Sequence, residues 1–313
     1  MKAIWILENI KKDEKFFLRE IELICLIASV SNWKTLYPDC KTSLYACPSV
    51  FSYLENLDIL NLWDVIDVEE LSKGDSVNRR AFWAASKLKC IKNIEAPFVL
   101  MDCDLYFKRK CFELDDLLQF DIVVNQIEEG ANVYPSIRDR ILSGIVNQYP
   151  IKYGWRTTHS PNVSFLYIKD DVFRNEYAET AWEWMDDLSQ RFWDDPDLNG
   201  KYMIFCEQKL LKEISDLRGM KMAALSHNFY FNELRKIEKL PDSYGTFFLD
   251  GTLDYFHLHS KKREVLTNEN LFMDIKSDII NSIVKLNSFP TKLLHSCILK
   301  NRTIGPLVEL VDT

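Results

Sequence analysis

Several protein classes are excluded by what this chain lacks. Its eight cysteines, at positions 25, 40, 47, 90, 103, 111, 206 and 297, form no C-x-x-C pair and no zinc-ligand spacing. Scattered in this way, they read as reduced core residues of a cytoplasmic protein. There is no long basic run, and the net charge is −8. That argues against non-specific nucleic-acid binding, which draws its affinity from neutralised phosphates. No uninterrupted apolar stretch approaches the length needed to span a bilayer. The first eight residues, Met1 to Glu8, are a short apolar run followed by Lys11, Lys12 and Asp13. They lack the long apolar core and small-residue cleavage site of a signal peptide. Internal repeats and low-complexity segments are absent as well.

What remains has the make-up of a folded protein. Of 313 residues, 47% are hydrophobic and 27% charged, enough for a full core in one large domain or one domain with a helical appendage. Strand and helix signals alternate. Residues 2–7 read as a strand, 13–30 as a helix with Phe16, Phe17, Ile21, Ile24 and Ile27 inward, and 41–47 as a second strand closed by Pro48. A short helix over 50–60, a strand over 65–68, a helix over 78–94 and a strand ending at Asp102 follow. Further strands are expected at 121–125, 162–168 and 252–259, and helices at 171–193 and 202–215. Such alternation implies βαβ units, hence an α/β fold with a mostly parallel central sheet flanked by helices. Between two of the strands, 128–161 reads as a long excursion of functional type. Beyond Lys261 the chain is helical, with Ile275, Ile279, Ile280 and Ile283 forming an apolar stripe. The expected division is therefore a domain over 1–262 and a helical extension over 263–313.

The most informative segment is Ala96-Pro97-Phe98-Val99-Leu100-Met101-Asp102-Cys103-Asp104. A run apolar at every position fits a strand buried on both faces. If the strand continues, Asp102 and Asp104 share a face and Cys103 points away. Ligands of open α/β sheets bind beyond the carboxyl ends of the strands. Two carboxylates there offer hard oxygen ligands to Mg²⁺ or Mn²⁺, and such an ion suits a diphosphate. Arg79, Arg80 and Lys87, on the preceding helix, are within chain reach of such a phosphate. His257 and His259 share one face of the last strand, with Lys261 just beyond. The adjacent acid pairs Asp115-Asp116, Glu128-Glu129 and Asp194-Asp195 diverge and read as solvated. The tryptophans of 182–193 lie at helical spacing and read as core before sugar stacking.

The run from Arg80 to Leu88, followed by Asp102-Cys103-Asp104-Leu105-Tyr106-Phe107, resembles the donor-binding half of bacterial GT-A glycosyltransferases. It is similar in particular to a poorly characterised glycosyltransferase-like group, and more distantly to glycogenin-type enzymes. The resemblance covers 1–262. It implies a GT-A-like fold and transfer of a sugar from a nucleotide sugar of the UDP type, bound through Mn²⁺ or Mg²⁺, to a saccharide or lipid-linked acceptor. Surface-polysaccharide or glycoconjugate assembly is the implied setting. By the resemblance Asp104 ligates the metal, Asp102 contacts the metal or the ribose, and His257 or His259 completes the site. Lys261 holds the diphosphate and Asn162 the donor sugar, while Glu207 serves as general base on the acceptor hydroxyl. The glycine-containing spacer and closing Pro-Trp of the glycogenin type are missing after His257, which leaves the register between the two histidines open.

Two other classes stay open at this point. A haloacid-dehalogenase-like phosphotransferase would use Asp102 as nucleophile and Asp104 as acid/base, but Tyr106 stands where that class has threonine. The D-G-T-L sequence at 250–253 is no substitute, because position 248 is phenylalanine. A GT-A-like binding protein without catalysis is the other. Lys276, Lys285, Lys292 and Lys300 among apolar residues allow peripheral contact with a membrane, although packing on the main domain or in a homodimer is the preferred expectation.

Overall fold

The computed structural model describes residues 1–10, 14–71, 76–129, 135–148, 159–227, 246–248, 255–258 and 262–304. The elements run β1 (Lys2–Leu7), α1 (Glu20–Leu36), β2 (Lys41–Ala46), α2 (Pro48–Asn56), β3 (Val65–Val68), α3 (Ala85–Asn93), β4 (Phe98–Met101) and β5 (Leu105–Phe107). Then come α4 (Leu114–Leu117), β6 (Ile122–Glu129), α5 (Ser143–Val146), β7 (His159–Ile168), α6 (Asp171–Phe192) and α7 (Gly200–Ile204). A π turn, Phe205–Lys209, joins α7 to α8 (Leu210–Leu217). Then follow β8 (Met222–His227), β9 (Thr246–Phe248), β10 (Tyr255–His257), α9 (Lys262–Thr267), α10 (Glu269–Leu286) and α11 (Thr291–Ile304). The class is mixed α/β, with strands paired mostly in parallel and helices packed around them, as the alternation of signals predicts.

The chain divides into two compact units that interleave in sequence. The first holds Met1–Glu70, Met101–Cys111 and Thr252–Thr313; the second holds Leu71–Leu100 and Phe112–Gly251. In the first unit β1 and β2 pair in parallel, Lys2 opposite Lys41, and β2 pairs in parallel with β3. β1 is inaccessible at Ala3, Ile4 and Trp5, whereas β3 leaves Val65 and Val68 exposed, as an edge strand does. α1 is buried on almost every side from Ile21 to Trp33, which its near-continuous apolar sequence requires.

That helix starts seven residues later than the apolar period suggests. Arg19 is extended, and its N–H donates to the Glu22 carboxylate at 3.0 Å, a one-sided cap that fixes the start. Phe16 therefore lies ahead of the helix, with its ring edge-on to Tyr53 at 5.3 Å. The other end follows from Pro38, since the residue before a proline avoids helical backbone. α10 and α11 pack on α1, and Ile275, Ile279 and Ile283 of the expected stripe are buried.

In the second unit the strand order is β4-β7-β6-β8-β9. β6 runs antiparallel to β7 and parallel to β8, and β8 is parallel to β9. β4 is buried at all four positions, as its apolar sequence demands. A bulge between Val124 and Gln126 breaks the β6–β7 register. α3 is shorter than the expected 78–94, because the backbone from Asn78 to Ala84 forms turns. α6 matches its expectation closely and is capped by Asp170, whose carboxylate accepts from the Phe173 N–H at 2.8 Å. The single helix expected over 202–215 is instead α7, the π turn and α8.

Candidate active site

The first unit gathers three of the expected metal ligands. The strand does not carry both aspartates: β4 ends at Met101, and Asp102 to Asp104 form a turn closed by the Leu105 N–H on the Asp102 carbonyl at 3.1 Å. β5 then leaves the turn and pairs antiparallel with β10, placing His257 opposite Leu105. The Leu258 N–H donates to the Asp104 carbonyl at 3.0 Å and extends that ladder by one bond. As a result one ligand atom each from Asp102, Asp104 and His257 lies within 4.8 Å of the other two. His257 Nε2 is 3.4 Å from Asp104 Oδ1, and both side chains are about nine-tenths buried.

The turn rests on a polar support that the sequence reading missed. Trp5 Nε1 donates to Ser29 Oγ at 2.8 Å, and Ser29 Oγ in turn lies 3.5 Å from the Asp102 carbonyl. Asn32 donates to the Phe107 carbonyl at 2.9 Å and to Ser282 Oγ at 3.0 Å, anchoring β5 to α1. A serine and an asparagine in the middle of an apolar helix are the only sequence hint of this. Tyr106 donates to Asp278 at 2.6 Å, and Lys108 lies 2.6 Å from the same carboxylate. Burial, then the Asp278 hydrogen bond and charge, pushes the Tyr106 hydroxyl far above its ordinary range, so it stays a donor.

Two carboxylates sharing a mostly buried turn repel each other, and a cation between them relieves that repulsion. With an imidazole as third ligand the donor set suits Mn²⁺, and its oxygen majority suits Mg²⁺. His259 and Lys261 lie outside the described residues, as does the 250–253 motif.

The second unit brings Glu207 and Lys87 together. Glu207 sits in the π turn, a local widening of the helix often found at functional sites. Lys87 Nζ is 3.0 Å from Glu207 Oε1 and donates to the Val163 carbonyl at 2.9 Å. Both side chains are about nine-tenths buried. Tyr177 donates to the Glu207 carbonyl at 2.8 Å, and burial followed by the Glu207 charge raises its hydroxyl well above the ordinary value. The lysine expected to face phosphate thus faces a carboxylate.

Asn162 is buried in β7. Its Nδ2 donates to Glu128 Oε1 at 2.9 Å, and its Oδ1 accepts from the Ser164 N–H at 3.1 Å. Gln126 donates to the same Glu128 oxygen at 2.9 Å. Glu128 is therefore a member of a polar network and not a solvated acid, because the bulge in β6 changes which way this stretch faces. Arg80 is exposed in the turns ahead of α3. Trp184 is core, as its spacing predicts, whereas Trp193 is half exposed.

A mixed α/β protein with an Asp-Asp-His cluster is thus the class the fold and the site define. The chain belongs to the family of unknown function DUF6734, whose model matches residues 65–287 and so spans the D-x-D turn, Glu207 and His257. No curated protein matches in sequence. Among solved structures it is similar to the galactosyltransferase LgtC in complex with donor and acceptor sugar analogues, at 10% identity and a TM-score of 0.48, over 95% of this chain and 100% of that one. It is also similar to mouse xyloside xylosyltransferase 1 in its apo form, at 10% identity and a TM-score of 0.41, over 83% of this chain and 98% of the other.

Proposed function

We propose that this protein is a GT-A-like, metal-dependent glycosyltransferase that moves a sugar from a nucleotide sugar to a saccharide or glycoconjugate acceptor, in the setting of surface-polysaccharide assembly. The convergence of Asp102, Asp104 and His257 within 4.8 Å carries the reading. These three side chains would hold Mn²⁺ or Mg²⁺, which when bound offsets the charge that develops on a leaving diphosphate. Glu207 is the proposed general base. Lys87 Nζ lies 3.0 Å from it, and a carboxylate can accept the proton of an acceptor hydroxyl. Asn162, fixed by Glu128, is proposed to contact the donor sugar, with Arg80 and Lys261 serving the phosphates and His259 as a further metal ligand. Residues 1–262 are proposed as the catalytic part and the helices after 262 as its support.

Thermal melting tests this directly. UDP, GDP, CMP and their common sugars are added to the full chain with and without Mn²⁺, beside Asp104→Ala and His257→Ala. A ligand at a hundredfold above its dissociation constant adds about 2.7 kcal/mol, a visible shift. The expected result is a Mn²⁺-dependent shift with one nucleotide family, absent in both variants. No shift with any nucleotide, together with release of phosphate from an aryl phosphate, would transfer the case to a phosphotransferase using Asp102.

A further inference from the structure

The second unit contains a cavity that neither the metal cluster nor the Lys87–Glu207 pair uses. Its volume is about 350 Å³, and its walls include Asp139, Arg140, Asp197, Asn199, Lys201 and Tyr202. That is the small end of the range for ligand sites, roughly 300–1,000 Å³. Beside it stands Trp83, which keeps 43% of its surface in water. A side chain at Gly200 would place its Cβ 2.4 Å from the six-membered ring of that indole, so the glycine is what allows the ring to sit there. Gly200 lies between Asn199 and Lys201, two residues of the cavity wall. A water-exposed aromatic ring is thus packed against the glycine between two residues of a polar cavity wall.

We propose that Trp83 and this cavity form a binding subsite for a neutral saccharide. A sugar ring presents a face of C–H groups and a rim of hydroxyls. An aromatic surface takes the first, and rigid polar side chains take the second. The polar groups are already held in place: Asp139 Oδ1 accepts from Tyr202 Oη at 2.7 Å and from the Ile141 N–H at 2.9 Å. The charge pattern disfavours an anionic ligand. Arg140 lies 2.8 Å from Asp195, beyond the wall, and 3.1 Å from Asp197 within it, so its positive charge is already matched. An uncharged ligand with many hydroxyls suits such a mixed lining. The role considered for the tryptophans of 182–193 falls instead to the one that precedes α3.

That the saccharide is the acceptor of a transfer rests on the glycosyltransferase reading; that it binds does not. Saturation-transfer NMR on the full chain, without nucleotide or metal, would use lactose, maltose, cellobiose and N,N′-diacetylchitobiose as probes. At least one should receive saturation, and Trp83→Ala should weaken its binding by about tenfold or more. Gly200→Ala, which drives a methyl group against the indole, should weaken it as well. Lys201→Ala, at an exposed position, carries the same test if Trp83→Ala does not fold. The site is overturned if no probe receives saturation, or if Trp83→Ala, or Lys201→Ala in its place, binds as wild type does. Nucleotide melting shifts on the same samples separate the two readings. Sugar binding without any nucleotide response defeats the transferase and leaves a saccharide-binding protein. A nucleotide response without sugar binding defeats the subsite alone.

Discussion

Lys87 and Glu207 form a buried ion pair in the second unit. A buried ion pair returns little net stability while intact, but removing one partner leaves the other charged and desolvated. Lys87→Met and Glu207→Gln alone should each cost about 3–5 kcal/mol in urea denaturation, whereas the double variant should recover most of the loss. Single losses below about 1 kcal/mol would show that water reaches the pair. Neither partner's role follows from its place in the sequence. Lys87 lies in a lysine-rich helix where most such side chains are solvated, and only the reach of its side chain to the Val163 carbonyl and Glu207 singles it out. Glu128 teaches the same lesson in reverse, because a bulge turned an unremarkable acid into the partner of Asn162 and Gln126.

At the scale of elements, the attachment of α10 and α11 to the start of α1 has a pH signature. Glu20 lies against Lys276 and Arg302. Burial alone would raise its carboxyl, but hydrogen bonds and charges from the two cations outweigh that and hold it below the usual carboxylate range. A carboxyl depressed in the folded state stabilises at pH values above its unfolded pKa, and the benefit is lost as pH falls through the folded value. Glu20→Gln should therefore lower Tm at pH 7, by an amount on the order of 1 kcal/mol in stability. The difference from wild type should fade as pH drops below about 4.5. A difference that persists at pH 3 would assign the effect to side-chain packing. β5, β8 and β9 were not read from the sequence, whereas the longer helices and the first strands were legible because apolar period and punctuation are local. Element ends were less so: capping at Arg19 and the turn at Asp102 depend on neighbours that period alone does not reveal.

For the molecule as a whole, the C-terminal helices are structural partners of the N-terminal segment. Ile275, Ile279, Ile283, Leu294, Cys297 and Ile298 are all buried. Asn301 ties the same region to Tyr53 Oη at 2.6 Å and to the Leu18 carbonyl at 3.0 Å. Each buried aliphatic side chain contributes roughly 1.5–3 kcal/mol, so their sum rivals the about 5–15 kcal/mol that holds a typical protein folded. Truncation after residue 262 should accordingly yield a chain with no cooperative melt and with strong binding of a hydrophobic dye. A truncated chain that melts like the full one would mean that α1 can close its exposed flank alone. No helix among the described residues is long and apolar enough to cross a membrane. Two of the four C-terminal lysines once considered for lipid contact lie near acids: Lys276 beside Glu20, and Lys300 at 3.7 Å from Asp58.

The sequence by itself determined the α/β class, the buried strand before the aspartates and the amphipathic C-terminal stripe. These are properties of neighbouring residues, written in periods of two and 3.6. Asp102 and Asp104 were visible because they are two positions apart, although a turn and not the expected strand face brings them together. The resemblance already pointed to His257, some 150 residues on, but the tertiary structure alone decided that β5 and β10 bring it to the turn, that Lys87 meets Glu207, and that Trp83 needs a glycine at position 200. Each of those contacts joins segments far apart in the chain, and no local pattern records which segments a sheet register or a helix packing will bring into touch.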